Sequence, residues 1–329
     1  MAGCEIYSRK ITFPRHSATL NVVFDPSGSL LGFTFTDEKA LLTETELAHY
    51  IYVSDTIQLP ARLTMPSASS VKGRVPVVIL VHGSGPSNMD EAMGPSAPFR
   101  DLAEGLSRRG VAVLRYDKRT FVCPQFFENA KEGYTYDDET VDDALSAIRL
   151  VKDSLAKEKA IDPSRIYIVG HSMGGMLAPR IAQRSGEVAG LVLLAAPTDK
   201  LLPTIERQLA YLGRSAEEIR KLTEIALADI PDSYLDLDAR YSDTATAQEL
   251  NIPMLILQGE RDYQVTMDDY RTWREAVGNR QGVVMKSYPS LNHLFMTGKG
   301  GSMPEEYQTP GHVAEEVMDN IANFVLSGK

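Results

Sequence analysis

Cysteine is nearly missing from this chain. Cys4 and Cys123 are the only two among 329 residues, which excludes a disulfide framework and any CxxC pair for metal or redox work. Both are expected to be bystanders. A surplus of positive charge is missing too: Lys and Arg number 34 against 44 Asp and Glu, a formal charge of −10. No basic cluster interleaved with aromatics overrides that balance, so nucleic acid is not an expected partner. The longest apolar run, VPVVILV at 75–81, is far too short to span a bilayer. No secretory apolar region opens the chain, so as given it reads as soluble and cytoplasmic, or extracytoplasmic if the N-terminus is truncated. Ala2-Gly3-Cys4 looks like the end of a lipoprotein cleavage site, but without the apolar segment that such a site needs.

Cofactor signatures are lacking as well. The loop VHGSGPSNMDE at 81–91 stops a β-branched run and raises the choice between holding a phosphate and holding an oxyanion. A P-loop needs G-x-x-x-x-G-K-[ST] and a dinucleotide fingerprint needs G-x-G-x-x-G. After Gly83 come Gly85 and then Asn88, with no lysine nearby, so both fail. There is no H-E-x-x-H and no paired histidine spacing for a metal. Neither a metal nor a cofactor is expected.

What is present is a chain that can bury a sizeable core, with 43% hydrophobic residues. Residues 1–53 alternate in the β manner (EIYSRKITF, ATLNVVF, LLGFTFT) with a turn signal DPSG at 25–28, which predicts an N-terminal antiparallel β extension. A polar linker, PSASSVKGR at 66–74, leads into a different rhythm. The short apolar runs PVVILV, VAVLRY, RIYIVG, LVLLAA, PMLILQG and VVMKSY alternate with amphipathic helical segments. That pattern predicts a doubly wound α/β domain over 54–329, with ligands at the carboxyl ends of the strands. Residues 198–250 break the rhythm with helical stretches and no strand, far more than a crossover requires, and are expected to form an inserted helical cap.

RIYIVG runs straight into HSMGG, giving Gly170-His171-Ser172-Met173-Gly174, a G-x-S-x-G between a strand and a helix. Small residues flank the serine so that backbones can pass closely while the hydroxyl projects from the sheet. A serine needs a histidine to take its proton, and the imidazole needs a carboxylate to fix its tautomer. In this fold class the order is Ser, acid, His. His293 follows the last sheet strand; His312, the other downstream histidine, suits a cap or the surface. Asp262 follows PMLILQG and is favoured as the acid, with Asp199 beyond LVLLAAP as the alternative; Glu260 comes too soon after its strand.

The segments VILVHGSGP, RYDKRT, VGHSMGG, LQGERDYQV and SLNHLFM resemble those of bacterial α/β-hydrolase-fold carboxylesterases, in the branch near serine aminopeptidase-like and cinnamoyl-esterase-like enzymes. The resemblance runs from about residue 54 to the end. The N-terminal strands resemble the tail of a small domain that precedes the hydrolase in some such proteins. It implies a serine esterase acting through Ser172, Asp262 and His293 and an acyl-enzyme, on small ester substrates. It further implies an oxyanion hole from the backbone N–H of Met173 and of Ser84, with Gly85 as the alternative donor. Amide and thioester hydrolysis use the same machinery and stay open, and a binding module that reuses the fold should lack a triad member. Aromatic residues near the strand ends, Phe99, Tyr263 and Phe295, and on the cap, Tyr211, Tyr234 and Tyr241, are candidates to line the acyl or alcohol pocket. The extension strands could pack on their own domain or on a second copy, so a homo-oligomer is open. No role is assigned to Asp90 or Glu91.

Overall fold

The computed structural model describes residues 5–12, 17–24, 27–38, 45–67, 73–128 and 133–328. Cys4, part of the DPSG turn and the middle of the 66–74 linker lie outside them. The chain divides into two compact units, Met1–Leu47 and Ala48–Lys329.

The first unit holds the antiparallel strands β1 (Glu5–Thr12), β2 (Ser17–Phe24) and β3 (Leu30–Glu38) in the order β1-β2-β3. Glu5 pairs with Phe24 and Thr12 with Ser17, so consecutive strands form a meander.

The larger unit is built on an eight-stranded sheet. Its strands are β4 (Glu46–Tyr52), β5 (Gln58–Thr64), β6 (Val75–Val81), β7 (Ala112–Tyr116), β8 (Ile161–His171), β9 (Gly190–Leu194), β10 (Met254–Gly259) and β11 (Val283–Tyr288), in the order β11-β10-β9-β8-β6-β7-β5-β4. From β7 to β11 every neighbouring pair is parallel, whereas β5 runs antiparallel to β7. This unit starts ahead of the boundary expected at 53/54, because the edge strand β4 already buries Ile51 completely.

The inner strands are continuous apolar runs because both of their faces are covered. All seven residues of β6 are buried, as expected of a strand between two helical layers. Val78 and Leu80 face a core shared with the helices Pro98–Arg108 and Glu315–Ser327, through Phe99, Leu102, Val317 and Phe324. Val77 and Ile79, equally buried, turn to the opposite face by the period-two alternation. After β6 the chain steps to β7 on one side and then to β8 on the other, so connections diverge beside β6 and leave a crevice at the strand ends.

Between β9 and β10 come four helices, Leu201–Tyr211, Ala216–Leu227, Asp232–Arg240 and Asp243–Glu249. The second begins in a capping box, in which Ser215 Oγ accepts from Glu218 N at 3.3 Å and Glu218 Oε2 accepts from Ser215 N at 2.8 Å. Hydroxyls tie this insertion to its surroundings: Tyr136 donates to Asp238 Oδ1 at 2.5 Å and Tyr241 to the Met176 carbonyl at 3.1 Å. Among the described residues no helix is long and apolar enough to cross a membrane.

Candidate active site

Ser172 directly follows β8, at φ 52° and ψ −121°, and the helix Met173–Ser185 begins at the next residue. A positive φ on a residue with a Cβ costs about 1–3 kcal/mol and persists only where its surroundings enforce it. Here they do. Ser172 N donates to the Leu194 carbonyl on β9 at 2.8 Å, and its own carbonyl accepts from Gly175 at 2.9 Å and Met176 at 3.1 Å. Gly174 makes the turn sterically possible, since a Cβ there would lie 2.2 Å from the Val81 carbonyl oxygen. Met173, as the first helical residue, has an N–H with no acceptor one turn back.

His293 stands in the loop after β11 and Asp262 in the loop after β10. His293 Nδ1 and Asp262 Oδ2 are 2.6 Å apart, and both residues are buried. The other carboxylate oxygen accepts from the amides of Gln264 at 2.8 Å and Val265 at 3.0 Å, while Gln258 Nε2 donates to Oδ2 at 3.3 Å. That orientation leaves the Nε2 side of the imidazole for the cavity, which Ser172 and His293 line together with Gly83, Ser84 and Met173.

The remaining candidates fall elsewhere. Asp199 pairs with Arg207 and is half-exposed, so it is not the carboxylate at His293. His312 is exposed, with its Nδ1 3.0 Å from Asp101 Oδ1. Glu260 accepts from Ser287 Oγ at 2.7 Å.

The aromatic lining expected from sequence is corrected by the packing. Phe99 and Phe295 are core residues, Tyr211 and Tyr263 stack on each other with ring centroids 5.0 Å apart, and none of the four lines the cavity. Tyr234 and Tyr241 are also buried away from it. Apart from Tyr211, which remains 45% exposed, each is enclosed by neighbours that sequence position does not reveal. The cavity, of about 460 Å³, is walled instead by Tyr136, Met173, Met176, Leu201, Ile205, Val265 and Leu294, with Thr204, Gln208 and Gln264 as neutral polar groups.

Asp90 and Glu91 both acquire a place. Arg115 Nε donates to Asp90 Oδ1 at 2.9 Å, and Arg100 grips Oδ2. Burial alone would raise the Asp90 pKa, but these two guanidinium groups hold it below its ordinary value. Glu91, at φ 48°, turns its carboxylate inward, where Oε1 accepts from Gly83 N at 2.8 Å and Oε2 lies 3.0 Å from His171 Nδ1. The His171 contact falls off the line of a good hydrogen bond, so charge attraction dominates it. His171 Nε2 donates in turn to the His293 carbonyl at 3.0 Å. Burial opposes charge on both groups; the partner charge nevertheless holds the Glu91 pKa below and the His171 pKa above their ordinary values. The Gly83 loop, the Ser172 turn and the His293 loop are thereby joined. His82, by contrast, is pushed down to about 4 by burial and stays neutral beside the Asn88 carbonyl. Among the described residues no group of three or more His, Cys, Asp or Glu is arranged to hold a metal ion.

A mostly parallel sheet whose strand ends carry a serine on a strained strand-to-helix turn and a carboxylate-bound histidine, both lining one cavity, is the architecture of an α/β hydrolytic enzyme. Residues 78–314 match the alpha/beta hydrolase family, and the chain belongs to that family. It is 37% identical to esterase EstD of Thermotoga maritima, across 99% of this chain and 80% of that protein. Among solved structures it resembles the Pyrococcus furiosus esterase Pf2001 (18% identity, 86% of this chain and 91% of that one, TM-score 0.57) and Est1E from Butyrivibrio proteoclasticus (19% identity, 85% and 98%, TM-score 0.54). At those identities the two structures speak to the fold.

Proposed function

We propose that this protein is a carboxylesterase that hydrolyses small, uncharged carboxylic esters by two-step acyl transfer. The observation that carries the reading is the convergence of the Ser172 elbow and the Asp262-bound His293 on one cavity. The relative named esterase EstD supports it. Ser172 Oγ attacks the ester carbonyl while His293 Nε2 takes its proton; Asp262 holds the Nδ1 tautomer and stabilises the imidazolium. The tetrahedral oxyanion is held by the amides of Met173 and Ser84. His293 returns the proton to the departing alcohol, and water then repeats the cycle on the acyl-enzyme.

The cavity wall bears on the substrate. No Lys or Arg is among its lining residues, and its two carboxylates are engaged, Glu91 with His171 and Asp199 with Arg207. An anionic acyl group would find no counter-ion there. A volume of about 460 Å³ lies within the usual range for small-ligand sites. The test is a panel of p-nitrophenyl esters of increasing chain length, with an aminoacyl amide, methyl ferulate and a hemisuccinate ester included, run on wild type and Ser172→Ala. Neutral short esters should be turned over best and the Ser172→Ala rate should fall to background. Equal rates in the two proteins would refute the mechanism.

A further inference from the structure

The motif RYDKRT at 115–120 has no part in the chemistry above, yet almost every residue of it reaches the loop that carries Ser84. Arg115 binds Asp90, Asp117 Oδ1 accepts from Met89 N at 2.7 Å, Lys118 N donates to the Ser87 carbonyl at 3.0 Å, and Thr120 Oγ1 lies 3.4 Å from the Gly85 carbonyl oxygen. At its centre the Lys118 ammonium, 1% exposed, spends its three donors on three acceptors: the Gly83 carbonyl at 2.9 Å, the Gly85 carbonyl at 3.1 Å and Glu139 Oε1 at 2.5 Å. Glu139 lies in a π-helical turn, Asp137–Val141, and its other oxygen accepts from the hydroxyl of the cap residue Tyr234 at 2.8 Å. That hydroxyl is also 3.6 Å from Met173 Sδ.

We propose that Lys118, backed by Glu139 and Tyr234, is a positioning residue that aims the Ser84 amide into the oxyanion hole. The reasoning is stereochemical, and it rests on the serine-esterase reading. In a trans peptide the carbonyl and the following N–H point in opposite directions, and the described chain has no cis peptide. Lys118 lies outside the cavity lining and draws the Gly83 carbonyl to itself, so the N–H of Ser84, which lines the cavity, is turned the other way. The other amides of the loop are less well placed: Gly83 N–H is consumed by Glu91, and Gly85, the alternative donor, is not among the residues that line the cavity. Lys118 thus favours Ser84 as the donor. Because its charge is balanced by a carboxylate bonded to the cap, it also links the cap to the oxyanion loop.

The decisive comparison is Lys118→Met against Lys118→Met/Glu139→Gln, each assayed for thermal stability, kcat and KM on p-nitrophenyl acetate, and affinity for a trifluoromethyl ketone whose hemiketal oxygen sits where the oxyanion forms. The single variant strands Glu139 as a buried charge and should lose both stability and activity. In the double variant stability should return while kcat stays about 10- to 100-fold low, short of the full loss of an oxyanion donor. KM should stay within about twofold, and the ketone should weaken in proportion to kcat/KM. Recovery of both stability and kcat in the double variant would overturn the proposal. Tyr234→Phe removes one hydroxyl and keeps the test open if the buried variants do not fold: kcat should fall roughly threefold or more at constant KM, and an unchanged kcat would remove the cap from the account. Wild-type protein with no esterase activity would overturn the underlying reading instead, and this proposal with it.

Discussion

Asp262 and Glu91 are both buried carboxylates beside a histidine, and their surroundings give them different work. Asp262 accepts two backbone amides on one oxygen and faces His293 Nδ1 with the other, which fixes the orientation of the ring. Asp262→Asn keeps the shape but favours the wrong tautomer, so kcat should drop by about 10³- to 10⁴-fold with KM little changed in steady-state assays. Glu91 instead ties Gly83 to His171, and its contribution depends on pH in a defined direction. With the His171 pKa raised above 6.5, its stabilisation is complete below that value and is lost as the pH rises through the raised one. With the Glu91 pKa lowered below 4.5, its stabilisation is present above that value and is lost as the pH falls through the lowered one. The difference in melting temperature between wild type and Glu91→Gln should therefore be largest between pH 4.5 and 6.5 and shrink on both sides; a difference independent of pH would contradict the charged pair. Position along the chain was enough to expect Asp262 and His293 side by side, as the structure places them, because each follows a readable strand. Glu91 and Lys118 were not legible in their roles. The partners that define them, His171 for one and Gly83 and Glu139 for the other, meet them only in the folded state.

At the level of elements, the elbow is a strand and a helix forced to meet in less space than most residues allow. A methyl group on Gly174 would press on the carbonyl oxygen of Val81 in the adjacent central strand, which is backbone and cannot swing away. Gly174→Ala should lose on the order of 3 kcal/mol in chemical denaturation, far more than an ordinary helical Gly→Ala change, which is stabilising. The strands and the first two inserted helices were legible because their apolar spacing is strong and their lengths are ordinary. Asp232–Arg240 and Asp243–Glu249 were not resolved as separate helices. DSYLDLDAR carries little apolar periodicity, and side chains such as Tyr234 and Asp238, bonded to Glu139 and Tyr136, hold it in place from outside. The expected aromatic pocket failed for a related reason: a loop position shows that a ring is near the site, but the face on which it packs is decided by neighbours such as Tyr211 for Tyr263.

Across the larger unit, the loops after β6, β8, β10 and β11 bring Ser84, Ser172, Asp262 and His293 to one end of the sheet. The strand order makes this possible, since β6 and β8 are neighbours at the point where connections diverge. Charge is arranged in layers there. Lys118–Glu139 and Arg115–Asp90 hold the loop that carries Gly83 and Ser84 from one side, Glu91–His171 reaches it from another, and the cavity wall carries no Lys or Arg. The central claim is that Ser172 forms an acyl-enzyme, and pre-steady-state release of p-nitrophenol from p-nitrophenyl acetate, followed by mass analysis of the trapped protein, tests it most directly. The expected result is a burst approaching one equivalent per active site, with an acetyl mass increment on the peptide containing Ser172 and neither signal in Ser172→Ala. A burst or an increment that survives in Ser172→Ala would contradict the account.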